Sequence, residues 1–279
     1  MLHPVAIPRL VVLSTLLGLS GCGGGPLEEQ SPAASVPPAS AEPRLEPRKV
    51  AKTQESCTPM PDGTGCSEII LEYLEAVGES PAREAINHWV RARILPTLGD
   101  QGPAESVEAM VEGFLAENQA FREEFPDAPG SWAVERKVTL AFQHPKVLTL
   151  TASDYSYTGG AHPLMVELLA SFDLAQGRPL MLSDLLRSGY PEPLTALVEA
   201  ELKRVRGLDP ETNLLDEGFF LEEGFRLTDN FAVLADGLRF YYNPYEIGPY
   251  VLGPTDLTVP YAALAEWIPE DGILATLTE

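Results

Sequence analysis

Residues 134–173 read VERKVTLAFQHPKVLTLTASDYSYTGGAHPLMVELLASFD, and the fold class follows from the period of this stretch. Val134, Val138, Leu140 and Phe142 share one face, with Glu135, Lys137 and Thr139 on the other, a period of two. His144-Pro145 turns the chain into a second strand, Val147 to Tyr157. After Gly159-Gly160 a third begins, with Leu164, Val166, Leu168, Ala170 and Phe172 inward. Strands joined by such short turns predict an antiparallel meander with one covered face.

Working outward, Ile69, Leu71 and Tyr73 suggest an earlier strand. Ser80-Pro81 is an N-cap and first-turn pair for a helix through Ala85, Ile86, Trp89 and Val90. Val107, Met110, Val111, Phe114, Leu115 and Phe121 then keep one helical face apolar. Beyond the turn at 175–179, Leu194, Leu197, Val198, Leu202 and Val205 mark a helix suited to cover the sheet. Asp236-Gly237 predicts a two-residue hairpin. Leu257 to Pro260 reads as a short strand and Tyr261 to Trp267 as a terminal helix. Strands and helices segregate instead of alternating, so the class is α+β, an antiparallel sheet covered by helices. Two small subdomains are expected, 56–162 and 163–279.

The beginning of the chain is of another kind. Arg9 precedes an apolar run, Leu10 to Ser20, too short to span a bilayer, which makes residues 1–21 a signal peptide. It ends in Leu19-Ser20-Gly21-Cys22, which resembles the lipobox of bacterial lipoproteins and makes Cys22 the lipidated first residue. The expected location is the cell envelope, held by a lipid anchor. With Gly23 after the cysteine, that implies the outer membrane facing the periplasm in a Gram-negative cell. Residues 22–55 are rich in Pro, Ala and Ser and hold no aromatic side chain, so a disordered tether is expected. Cys57 and Cys66 remain as an even pair in an oxidising compartment, and a disulfide is the natural reading.

The whole chain carries 19 basic and 41 acidic side chains, a formal net charge of −22. Removal of residues 1–21 deletes one basic residue, Arg9, and no acid, leaving −23. Nucleic acid is a poor partner for such a field, and a cationic protein is a good one. Acidity that only keeps an exported protein soluble is the competing reading.

The segments YSYTGGAHP (155–163), FDLAQGRPLMLSDLL (172–186), ADGLRFYYNPYEIGPYVLG (235–253) and VPYAALAEW (259–267) occur in this order. Together, over residues 67 to 268, they resemble the RsiV-type extracytoplasmic domain family. That domain also occurs beside the catalytic domain of the peptidoglycan deacetylase PdaC. The resemblance implies an α+β fold and, from the anti-sigma members, recognition of lysozyme. It departs from the family in two respects. Only a few residues precede the apolar run, where an anti-sigma factor needs a cytoplasmic domain, and the deacetylase half is missing. The expectation is therefore a stand-alone lipoprotein with no metal, no cofactor and no catalytic residue. Its partner would be a lysozyme-like cationic protein or a cell-wall ligand.

Two loops carry the candidate binding residues. The first is Tyr157, Gly159, Gly160 and His162, a glycine-permitted turn that His162 fixes by hydrogen bonding. Catalysis through His162, as a cell-wall hydrolase or esterase, is the alternative. It needs a nucleophile and an orienting acid, and strand alternation spreads the nearby Ser153, Asp154 and Ser156 over two faces. The second loop is Tyr245, Glu246 and Tyr250, stiffened by Pro244, Gly248 and Pro249. Its tyrosines either form a recognition surface or plug the end of the sheet.

Overall fold

The computed structural model describes residues 42–55, 57, 65–98, 102–126, 131–222 and 224–277. The expected signal peptide and Cys22 lie outside them.

The first strand occupies the end of the expected tether. β1 (Arg44–Thr53) pairs antiparallel with β2 (Glu68–Val77) along its full length. The tether therefore cannot run to residue 55. The strand escapes a reading of apolar period because both its faces are largely exposed. Order comes instead from the backbone ladder, from ion pairs to β2 (Arg48–Glu75 at 2.8 Å and Lys49–Glu72 at 2.6 Å), and from the Cys57–Cys66 disulfide closing the connection.

Two helices follow, α1 (Arg83–Ile94) and α2 (Val107–Glu124). α1 starts beyond Pro81, because Ser80 Oγ accepts from Ala82 N–H in a turn that precedes the helix. Ser106 caps α2 by accepting from Ala109 N–H at 3.1 Å. This helical crossover makes the next pairing parallel. β3 (Ala133–His144) runs beside β2 in parallel, while β4 (Val147–Tyr157) and β5 (Leu164–Asp173) complete the predicted antiparallel meander. A bulge between Leu140 and Phe142 shifts the register and leaves Leu140 exposed, not inward. On the same face Arg136 is buried between Val134 and Val138. Leu164 is also exposed, where the sheet runs out past its cover.

β6 (Arg178–Pro179) ends this six-stranded sheet. After α3 (Leu182–Leu185) and α4 (Pro191–Val205), a three-stranded sheet forms from β7 (Phe231–Val233), β8 (Gly237–Tyr242) and β9 (Thr255–Pro260). α5 spans only Tyr261–Leu264, short of the predicted Trp267. Pro269 follows closely and cannot continue a helix.

The class is α+β with two apolar cores. One lies between the large sheet and its helices (Ile69, Leu71, Ile86, Phe114, Leu150, Phe172), the other between the small sheet and α4 (Leu194, Val198, Leu202, Phe240, Tyr242). The expected division at 162/163 does not separate them. It falls in the β4–β5 hairpin turn, and the described residues form one compact unit. A Gly-Gly turn between paired strands has the composition of a linker but not its freedom.

The outer edge of β5 is met by side chains from the second sheet. Asn243 Oδ1 accepts from Glu167 N–H at 2.7 Å, and its Nδ2 donates back to Glu167 O at 3.0 Å. Asn230 accepts from Leu169 N–H and donates to Glu167 O and Tyr241 O. Further along, Thr149 Oγ1 donates to Val233 O and Ser171 Oγ accepts from Val233 N–H. These bonds satisfy a strand edge without a further strand, and they fix where the loop after β8 must lie.

Candidate functional site

The β4–β5 turn needs its two glycines: Gly159 and Gly160 have φ of 102° and 100°, where a Cβ is strained. Tyr157 Oη donates to Gly160 O at 3.2 Å and closes the turn. His162 Nδ1 lies 2.9 Å from Pro163 O. A carbonyl only accepts, so Nδ1 carries a proton, and in the neutral ring Nε2 is the acceptor.

The second loop is built from Asn243. Its side chain grips β5, its N–H donates to Glu246 Oε2 at 2.9 Å, and its carbonyl accepts from Glu246 N–H at 3.1 Å. Tyr245 N–H donates to Gly248 O at 3.0 Å, which holds Tyr245 at φ 71°. Among the described residues it is the one non-glycine at positive φ. A Cβ on Gly248 would stand 2.9 Å from Leu252 Cδ1, so the loop closes tightly there. Just past the end of α4, Arg206 donates to Leu252 O, Pro254 O and Thr255 Oγ1, pinning the far side.

Because Asn243 grips β5 three residues past the turn's Leu164, the two loops meet. The His162 ring stacks on Tyr250 at 3.7 Å between centroids, with 14° between planes. Tyr245 Oη is 3.2 Å from His162 Nε2, and the Tyr245 and Tyr250 rings lie 5.8 Å apart. Tyr245 is 53 % exposed and is not a plug; that place is taken by Ile247, buried in the second core. Val251 beside Tyr250 is 87 % exposed, and Leu164, Met165 and Phe220 are exposed as well. Phe220 joins the loop through its N–H to Ile247 O at 2.8 Å. The result is a three-ring cluster flanked by apolar side chains and Glu246.

Beneath it, Arg239 binds Glu167 at 2.7 Å and Asp256 at 2.7 Å. The hydrogen bond to Asp256 in particular raises its pKa. Burial pushes the neighbouring Tyr241 hydroxyl up to about 12.

Both His162 nitrogens are engaged, by a carbonyl and a phenol, and neither contact is to the serines and acid of β4. Asp154 instead bonds Arg136. Among the described residues no group of three or more His, Cys, Asp or Glu side chains is placed to hold a metal. The Cys57–Cys66 disulfide is present, with a Cα–Cα distance of 5.3 Å. Sequence reading missed Asn230, Arg206 and Phe220. The first two act through backbone atoms that no spacing reveals.

Residues 64–165 match the family described as "Deacetylase PdaC", and residues 183–262 match "Protein of unknown function (DUF3298)". The aromatic cluster spans the two, with His162 in the first and Tyr245 and Tyr250 in the second. Among curated proteins the chain is 30 % identical over 117 residues to immunogenic protein MPT64 of Mycobacterium tuberculosis and to MPB64 of Mycobacterium bovis. That match covers 39 % of this chain and 47 % of theirs, about half the length of these relatives. Two solved structures share the fold. A DUF3298-family protein of Bacteroides fragilis has a TM-score of 0.69 at 22 % identity, covering 86 % of this chain and 98 % of that one. A second, from Pseudomonas aeruginosa, has a TM-score of 0.62 at 19 % identity, covering 82 % and 96 %. Residues 64–165 are thus of the PdaC type and residues 183–262 of the DUF3298 type, and the two regions share one continuous fold.

Proposed function

We propose that this protein is a non-enzymatic binding module of the cell envelope, anchored by lipid at Cys22. Its His162–Tyr245–Tyr250 surface would take a cationic protein or a cell-wall ligand, a lysozyme-like hydrolase being the most concrete candidate. The observation that carries this reading is the meeting of two loops 83 residues apart in an exposed aromatic cluster. Rings held by stacking and by backbone clamps present a large contact area at low entropic cost. A non-glycine at positive φ has the same bearing, since such strain collects at functional positions. The net charge of −22 supplies attraction toward a basic partner, and Glu246 sits beside the rings.

The test is binding of the full chain to lysozyme, with an unrelated protein of equal positive charge as control. Tyr245→Ala should weaken lysozyme binding by about 2 kcal/mol, as loss of an aromatic anchor does, without moving the melting temperature. If lysozyme and the control bind alike and both let go at about 0.3 M salt, where screening shortens the field, specific recognition is rejected. Turnover of cell wall by the purified chain, abolished in His162→Ala, would make the protein the hydrolase instead.

A further inference from the structure

A second site lies away from the aromatic cluster, where α1 ends over the large sheet. α1 packs on β2, β3 and β4, and a cavity of about 140 Å³ opens between its last turn and β5. Val138, Ala152, Val166 and Leu168 form an apolar wall, while Arg93, Arg136 and Asp154 line the polar side.

Arg136 is 3 % exposed and tightly held. Its Nε donates to Asp154 Oδ2 at 2.9 Å, and its Nη1 donates to Ile94 O at 2.9 Å and Pro96 O at 2.6 Å, closing the C-terminal end of α1. Two buried atoms in the same wall have no partner: Asp154 Oδ1, an acceptor, and Arg93 Nε, a donor. Arg93 makes no ion pair among the described residues, and its guanidinium lies 5.2 Å over the Trp89 ring. Burial lowers its pKa. A half-buried cation without a counter-ion is costly in any protein, and this chain has acids to spare. Water satisfies a lone donor or acceptor but does not neutralise the charge.

We propose that this cavity binds a carboxylate bearing an adjacent N–H, the head group of a small apolar α-amino acid. The carboxylate meets Arg93, the N–H donates to Asp154 Oδ1, and the side chain lies on the apolar wall. About 140 Å³ is the liquid share of about five waters, room for a molecule of about six heavy atoms. Arg93, held by its stack on Trp89, can turn its fork onto the carboxylate. The same chemistry has two sources, a free amino acid and the C-terminal residue of a peptide.

Calorimetric titration of the full chain with alanine, N-acetylalanine, acetate and ethylamine tests this. At least one of the first two should bind with a Kd of about 1 mM, with acetate and ethylamine each at least about tenfold weaker. Equal binding of N-acetylalanine marks the peptide C-terminus as ligand; binding of alanine alone marks the free amino acid. Arg93→Gln should abolish the heat while the protein stays folded, since no ion pair is lost and the contact given up is the one with the Trp89 ring. Val166→Phe, filling the cavity from its apolar side, should abolish it too. Asp154 is left intact because Arg136 depends on it. Wild-type affinity in Arg93→Gln, acetate binding as well as alanine, or no heat from either amino-acid probe overturns the proposal.

Discussion

At Tyr245 a bulky side chain occupies backbone space that glycine and asparagine favour. The conformation is imposed by two hydrogen bonds, Tyr245 N–H to Gly248 O and Glu246 N–H to Asn243 O, and by the Asn243 grip on β5. The cost of such strain is of order 1 kcal/mol. Tyr245→Gly should therefore raise the stability of the fold by about 1 kcal/mol while removing the ring from the surface. Tyr245→Ala keeps the strain and leaves stability near wild type. Urea unfolding of both variants checks the pair. A Tyr245→Gly protein less stable than Tyr245→Ala would show that the backbone is not strained there. A Tyr245→Ala protein well below wild type would show that the ring supports the fold and is not held out for contact. The sequence singled out Tyr245 and His162 by residue type. That they touch was not legible, because the asparagine clamp bringing them together joins a side chain to backbone groups 76 residues away.

Among the elements, the strands that alternate under a cover were readable and the one without a cover was not. β3 announces itself in period two because the helices cover one of its faces, and the short turns on either side of β4 mark that strand and β5 beside it. β1 has mostly exposed faces, and its residues resemble those of a flexible segment. The parallel β2–β3 join was hidden for a related reason. Period gives a strand's faces but not its neighbours, and the crossover through two helices sets the direction. Arg136 shows the limit inside a readable strand: a cation on an apolar face is buried because the end of α1 offers it two carbonyls. β1 depends on β2 and on the disulfide that ties their connection. Replacing Cys57 and Cys66 by serine should cost about 2–3 kcal/mol by loop-closure entropy. It should release β1 before the rest. Amide exchange should quicken in Arg44–Thr53 while β3 to β5 stay protected. Uniform loss of protection would mean that β1 is integral to the core and not an added edge.

For the whole molecule, the field and the proposed anchor would decide what the proposed binding surface can reach. No helix of the described residues is long and apolar enough to cross a membrane, so in the proposed arrangement the lipid on Cys22 is what holds the protein at a surface. One acyl chain binds reversibly and two hold firmly, which a diacylated cysteine would provide. With β1 starting at Arg44, the chain between Cys22 and that strand spans at most about 80 Å, against about 120 Å for a tether reaching residue 55. Under that proposal the acidic domain would be kept near the membrane, where a surface of like charge repels it and a cationic partner does not. Cys22→Ala should transfer the protein from the membrane to the soluble fraction, and only the wild type should incorporate labelled palmitate. The variant should keep its melting temperature, because the disulfide joins Cys57 to Cys66 and does not use Cys22. A variant that still sediments with membranes, paired with a wild type that takes up no label, removes the anchor from this account. The aromatic surface would then have to find its partner by diffusion, with charge steering alone to raise the encounter rate.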